Sequence, residues 1–471
     1  MITNDLATFI DNAEFDALSE QAVQHLKIRL LDSLGTAIGA VDGPPVRAIR
    51  RMIGDLGNSG TCTLIGGGKT TPDRAALYNS ALVRYLDFND SYLAKGETCH
   101  PSDNIGSVLT AGEYANISGK SFLTALAIAY QVQCRLSDEA PVRDKGFDHT
   151  TQGSYAVAAG VSKAMGLNKE QTANALAIAG TALNALRVTR TGALSNWKGL
   201  AYPFTAFGGV NAALLAKYGI SGPAAVFEGN KGFMDAIAGR FSIDWANEDL
   251  ERVTKSILKK YNAEVHSQSS LEGMIELKNE YGFTGDDVKR VEIKIFDVAY
   301  NIIGGGEEGD KTVVHKKEEA DHSLQYMVSA ALLDGQVMPA QYNQDRIVRN
   351  DVQSLLQKVS VRPSQEFSDR FPEEMPVGLT VILNSGETYQ IEKSDYEGFS
   401  TRPMSWETAI RKFDVLAEPY TPSGLRRQIV DMVWNFEKHN VTELMKLLKD
   451  LETGPFENNV RIPRKAETLI P

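Results

Sequence analysis

From Ser19 to about His266, apolar residues recur at intervals of three and four. Val23, Leu26, Leu30, Leu34 and Ile38 lay one stripe along a helix. The stretches "SFLTALAIAYQVQCRL", "SYAVAAGVSKAMGL" and "KEQTANALAIAGTALNAL" are rich in alanine and glycine. Alanine has the best helix propensity, and small side chains let helices approach closely. Asn168 is the expected cap of the last of these, with Glu170 and Gln171 in its first turn. After about Gln268 the period changes. "VKRVEIKIF" alternates Val291, Ile293 and Ile295 with Arg290, Glu292 and Lys294, as a half-exposed strand does. "QKVSVRP" and "VGLTVILNSGETYQIEK" read as further strands, with a hairpin turn at Ser385-Gly386. Between them "DHSLQYMVSAALLDG" and "NDVQSLLQKV" read as helices, and from "PMSWETAIRKF" onward the chain is helical again.

The pattern predicts a mainly α protein. A large helical domain, residues 1–267 and 395–471, is interrupted by a smaller α+β domain, residues 268–394. The length of 471 residues fits two cores better than one. Hydrophobic content of 42% and charged content of 23% are those of an ordinary globular protein. The net charge of −11, with no Lys/Arg block, argues against nucleic acid but leaves room for a local basic pocket. The acidic N-terminus lacks a signal pattern, and no apolar run looks long enough to span a bilayer. Cys62, Cys99 and Cys134 lie far apart, which argues against both a disulfide framework and an iron–sulfur cluster. A cytoplasmic protein is expected.

Candidate chemistry gathers in "YLDFNDSY" and "KGETCHPSDNIG", residues 85–92 and 95–106, where titratable groups crowd between two helical stretches. "IGGGKTT" fails the phosphate-loop spacing, because Thr63 stands where a glycine is required six positions before Lys69. It reads as a turn, and "NIIGGGEEGD" as a loop near a site. No close histidine pair supports zinc. His100, before Pro101, His149 in "KGFDHTTQGSY" and His266 at the expected domain boundary have placements that suit a site. Lys198, just ahead of an apolar helix, suits carboxylate binding, and Arg187, Arg190, Lys259 and Lys260 add positive charge.

"LDFNDSYLAKGETCHPSDN", "GFDHTTQGSYAVAAG", "WKGLAYPFTAFGG", "NAEVHSQSSLEG", "ADHSLQYMVSAALLDG" and "RPMSWETAIRKF" occur in this order. Together they resemble the MmgE/PrpD family of iron–sulfur-independent 2-methylcitrate dehydratases, over residues 6–451. The resemblance implies a helical domain plus a smaller α+β domain, a homodimer, a site between domains, and no metal or organic cofactor. It implies site roles for Asp87, His100, His149 and Lys198, with Ser91 where relatives often carry threonine. Tyr300 matches a site tyrosine of the decarboxylase branch, and either Lys259 or Lys260 matches its lysine.

The implied substrate is a tricarboxylate and the implied reaction a dehydration. A base removes a proton from carbon beside a carboxylate, cationic donors stabilise the developing charge, and an acid protonates the departing hydroxyl. His149 and His100 share the roles of base and of acid or carboxylate donor, in either order. Asp87 is expected to tune an imidazole, and Cys99 to be a bystander. Decarboxylation of cis-aconitate and epimerisation use similar pockets. A helical binding protein without activity is the alternative from another class.

Overall fold

The computed structural model describes residues 1–452 apart from Asn58 and Ala193, so the end of the expected C-terminal segment, 453–471, lies outside the described residues. Two hydrophobic cores organise it. The first takes in residues between Leu6 and Leu258 and again between Met404 and Leu451. The second takes in residues between Ile257 and Phe399. It therefore begins ahead of the expected boundary at 268, because Ile257, Tyr261, Ala263 and Val265 already pack into it.

The first core is a helical assembly. Helices Pro72–Tyr85, Gly119–Glu139, Thr150–Ala164, Lys169–Ala182 and Trp197–Lys217 pack on one another. Asn168 caps its helix as expected, in a reciprocal capping box with Gln171. The C-terminal helix Trp406–Ala417 lies along Glu20–Gly39. Their approach needs a glycine: a Cβ on Gly35 would stand 3.0 Å from the Phe413 Cα. Lys412 on the same helix is buried. Its Nζ donates to the carbonyls of Phe88 and Lys259, both at 2.8 Å, and pairs with Asp32 at 2.7 Å. A helix from the end of the chain thus ties down two segments that carry candidate site residues.

The second core is built on a four-stranded mixed sheet, in the order Val359–Pro363, Val288–Ile295, Val377–Leu383, Thr388–Lys393. The first pair is parallel and the other two antiparallel. Val288, Val291, Ile293 and Ile295 are buried while their neighbours are partly or fully exposed, the alternation read from the sequence. Gly386 takes a φ of 95° in the Ser385-Gly386 turn, a left-handed conformation that glycine adopts without strain.

Trp197–Lys217 corrects one expectation. By length and composition it is apolar enough to cross a membrane. Its interruptions, Lys198 and Asn211, hid this from a search for an unbroken apolar run. Some 56% of its apolar window is buried against the neighbouring helices, as in a core helix.

Candidate active site

A cleft opens where the two cores meet. Arg84, Asp87, His100, His149, Arg187, Arg190 and Lys198 line it from the first core's side, with Lys259 on the connecting segment. Glu264, Val265, His266, Ile302, Glu308 and His322 line it from the other side. The side chains arrive by a shared device. His149 precedes helix Thr150–Ala164, and Lys198 sits in the first turn of Trp197–Lys217. His100 precedes the short turn Pro101–Asn104 that leads into Ile105–Ala115. His266 lies in the turn that leads into Gln268–Tyr281. Helix N-termini expose unpaired N–H groups and a positive dipole end, which favours anions.

Asp87 is the hub. It has a φ of 53°, a left-handed conformation that aspartate tolerates better than most residues. Its carboxylate accepts from Arg84 Nη1 at 2.6 Å, Lys259 Nζ at 2.9 Å and Lys198 Nζ at 3.3 Å. Burial pushes this carboxyl up, but Arg84, Lys259 and Lys198 outweigh it and hold it well below the usual range. Asp87 therefore gathers cations; it makes no hydrogen bond to an imidazole, but its charge acts on His100 and raises that ring against burial, the tuning expected from the sequence.

His100 is fixed in one tautomer. Its Nδ1 lies 2.8 Å from the carbonyl of Asp90, which can only accept, so Nδ1 carries the proton and Nε2 is the bare nitrogen. The Asp90 carboxylate is not free to act on substrate. It accepts from the Ser102 N–H at 2.9 Å, from the Ser102 hydroxyl at 2.5 Å and from Tyr130 at 2.7 Å. Burial, then Arg84 and Lys259, hold His100 well below the ordinary histidine value, so the ring is neutral. His149 meets it edge-on, with ring centroids 5.4 Å apart. Burial pushes His149 down to about 3, against the pull of Asp148. Neither of its ring nitrogens makes a hydrogen bond, and Nε2 lies 3.8 Å from Asp148 Oδ1. Asp148 itself is held by Arg190 Nε at 2.6 Å.

Of the residues expected from the sequence, Asp87, His100, His149, Arg187, Lys198, Lys259 and His266 line the cleft. Three do not. Ser91 is buried behind His100, its hydroxyl 3.2 Å from Nδ1. Lys260 turns away and pairs with Glu272 and Glu397, both at 3.0 Å. Tyr300 is absent from the lining, its ring folded against Gly304 and Gly306, while Ile302 of the same turn takes the place at the cleft. Lysine-to-methionine substitutions should therefore separate the neighbours. Lys259→Met is expected to raise KM by about 10-fold or more, the loss of a charge-assisted contact. Lys260→Met, which breaks partly exposed ion pairs, is expected to leave kcat/KM within about twofold. Equal effects in steady-state kinetics would overturn this assignment.

The sequence reading missed Arg84, Glu264 and His322. His322 stood in the quoted "ADHSLQYM", but its partner Lys198 is far away in sequence. Glu264 holds His266, with Nδ1 and Oε1 2.8 Å apart. Among the described residues no three His, Cys, Asp or Glu side chains converge as metal ligands.

Six cationic side chains line the cleft (Arg84, Arg143, Arg187, Arg190, Lys198 and Lys259) against four carboxylates, those of Asp87, Glu97, Glu264 and Glu308. Cationic side chains thus outnumber carboxylates in the cleft, inside a chain of net charge −11. That balance suits a small polyanion. Known proteins agree with the geometry. Models of the MmgE/PrpD N-terminal and C-terminal domains match residues 4–246 and 261–438. The chain belongs to the MmgE/PrpD family. Among its MmgE/PrpD relatives, the mitochondrial 2-methylcitrate dehydratase of Yarrowia lipolytica is 28% identical, over 82% of this chain and 77% of its own length. The 2-methylcitrate dehydratase of Escherichia coli K12 is 27% identical over 83% of each. The cis-aconitate decarboxylase of Mus musculus is 25% identical over 95% of this chain and 93% of its own length. MmgE/PrpD proteins thus include dehydratases and a decarboxylase, and the two family domains coincide broadly with the two cores.

Proposed function

We propose that this chain is a hydro-lyase that dehydrates 2-methylcitrate to 2-methylaconitate, with citrate as a second substrate. The observation that carries the reading is the bare Nε2 of a neutral, buried His100 beside a cluster of cations. The cations hold the carboxylates of the substrate. His100 Nε2 takes the proton from the carbon beside one of them, and charge develops on that carboxylate. Arg84 and Lys259 are already in place to stabilise it, which removes the cost of reorganising at the moment of reaction. Leu194, Val265 and Ile302 give an otherwise polar cleft an apolar patch for a methyl group. A methyl is worth only about 1–3 kcal/mol of discrimination, so citrate remains a substrate. The reaction uses no metal or organic cofactor by this reading.

The full-length match to a cis-aconitate decarboxylase favours a second reading, in which the same cations bind cis-aconitate and no hydroxyl departs. A panel of 2-methylcitrate, citrate, cis-aconitate and isocitrate, followed by alkene absorbance and NMR, separates the two. An unsaturated tricarboxylate supports dehydration; a C5 acid with carbon dioxide overturns it.

The lowered His100 also sets a pH dependence. The base must be neutral, and burial with Arg84 and Lys259 holds it well below the ordinary histidine value. kcat/KM is therefore expected to stay level on the acid side as pH falls from about 8 to about 6. A fall of kcat/KM through the ordinary histidine value in a pH–rate profile would contradict the scheme.

The protein acts, by the same reading, as a homodimer. Trp197, Phe204, Leu215 and Tyr218 stand exposed along one helix, with Leu186, Val188 and Ile220 exposed nearby. A stable dimer needs on the order of 800 Å² from each partner, and an apolar stripe of this kind can supply much of it. Light scattering should give the mass of two chains, and the mass of one at micromolar concentration would count against this.

A further inference from the structure

Dehydration leaves a bookkeeping problem in protons. After one turnover the base holds the proton from carbon, and the acid has given its own to the departing hydroxyl. Both must be reset before the next turnover, and the cleft is walled by buried groups. His100, His149 and His266 are each at least nine-tenths buried. His322 differs. It lines the cleft and also a second cavity, shared with Arg190, Leu194, Glu308, Lys311 and Glu319, whose lining includes the exposed Asp310, Val313 and Lys316 and so makes it the outer of the two. Among the described residues it is the one cleft histidine that borders both spaces.

Its ring is held for transfer. Asp321 Oδ1 lies 2.6 Å from Nδ1 and fixes the proton there, which leaves Nε2 bare. Asp321 is anchored in turn by Lys317 Nζ at 2.8 Å. Lys198 Nζ lies 3.0 Å from His322 Nε2 and 3.2 Å from Nδ1. On its other side it meets Asp87 at 3.3 Å. The ammonium is thus seated between the substrate cleft and a histidine that reaches the outer cavity. Burial lowers Lys198 from the ordinary lysine value, against Asp321 and Asp87, which makes it a stronger acid than a free lysine. His149 does not line that outer cavity; its ring neighbours are His100, Tyr202 and Asp148, whose Oδ1 lies 3.8 Å from Nε2.

We propose that Lys198 is the acid that protonates the departing hydroxyl, and that His322, aligned by Asp321, recharges it with a proton from the outer cavity. This rests on the lyase reading above. The C–O bond breaks as the C–H electron pair forms the alkene. The C–H proton goes to His100 Nε2, and the Lys198 proton joins the hydroxide to give water. A hydronium in the outer cavity then protonates His322 Nε2, and a turn of the ring carries that N–H to the neutral Lys198 amine, which takes the proton and leaves Nε2 bare again. His100 releases its proton to solvent when the product leaves, so no net proton is consumed. His322 is a proton-returning residue that acts through Lys198.

The test uses His322→Gln and Asp321→Asn in the full chain. His322→Gln is expected to lower kcat about 10-fold or more, with KM nearly unchanged. Added imidazole should restore much of the loss, while the wild-type rate ignores it. Asp321→Asn should lower kcat in the same direction. A loss that no imidazole concentration repairs, or no loss in a folded variant, overturns the proposal. A second readout does not depend on turnover. Exchange of the imidazole C2 hydrogens with heavy water, followed by mass spectrometry, should be severalfold faster at His322 than at His100, His149 and His266. Exchange at His322 as slow as at His149 overturns the proposal even in an active enzyme. Wild-type protein that dehydrates none of the panel acids refutes the lyase reading instead, and the exchange rates tell the two failures apart.

Discussion

Replacement of His100 with asparagine is expected to lower kcat by about 10²-fold or more while KM moves less, the signature of a lost acid–base group. The substitution is chosen to keep the brace. An asparagine side-chain amide can still donate to the Asp90 carbonyl, as Nδ1 does now. What it removes is the bare Nε2 at the cleft. Steady-state kinetics and a melting curve on the same preparation check the expectation. A lower melting temperature with intact turnover per folded molecule would make His100 a brace for the "HPSDN" turn and take it out of the chemistry.

The second large effect concerns Asp87. Asp87→Asn keeps a residue that tolerates the left-handed φ of 53° but deletes the charge that Arg84, Lys198 and Lys259 share. Loss of one partner from a buried pair costs about 3–5 kcal/mol, and the 13% exposure of this side chain points to the lower end, about 3 kcal/mol. Urea unfolding measures it. The pH dependence has a definite sign. The folded-state value of Asp87 lies below its unfolded value, so its contribution is complete above about pH 4 and is lost as pH falls through the folded value. The gap between wild type and variant should be constant above about pH 4 and narrow below it. A tricarboxylate should stabilise the variant, because it brings the missing negative charge to the same cations. Equal stability of wild type and variant at neutral pH would show that the hub is not what holds these cations in place.

Local pattern carried much of the fold. The switch from a period of three and four to the alternation of Val291, Ile293 and Ile295 marks the second core, because burial on one face leaves a direct trace in sequence. The parallel pairing of Val288–Ile295 with Val359–Pro363 left no such trace, since the partners are joined through intervening helices. In the site, legibility stopped at the same limit. The DFND and HPSDN stretches were visible as a crowd of titratable groups. Which carboxylate served which cation was not, because Asp87 and Lys198 are far apart in sequence and meet only across the cleft. Lys259 and Lys260 are adjacent and chemically alike, and only the turn of the backbone sends one to Asp87 and the other to Glu272. His322 was overlooked for the converse reason. A histidine in a helical motif looks structural until its neighbour is known to be a buried lysine.

Lys412 has a consequence for how the protein is made. It holds the carbonyls of Phe88 and Lys259, one beside Asp87 and the other on the residue that contacts it, yet it is supplied by a helix near the end of the chain. On a ribosome the catalytic segments emerge early and wait. The buried core of the α+β unit, between residues 257 and 399, is already synthesised while the larger body still lacks its closing helix. A nascent chain halted before residue 406 would carry every residue proposed to touch substrate and still lack the ammonium that fixes two of their backbones. Such a fragment would expose the apolar face of Glu20–Gly39 that Trp406–Ala417 covers, a surface suited to chaperone capture. Activity would wait on the synthesis of Trp406–Ala417 and not on that of the site itself.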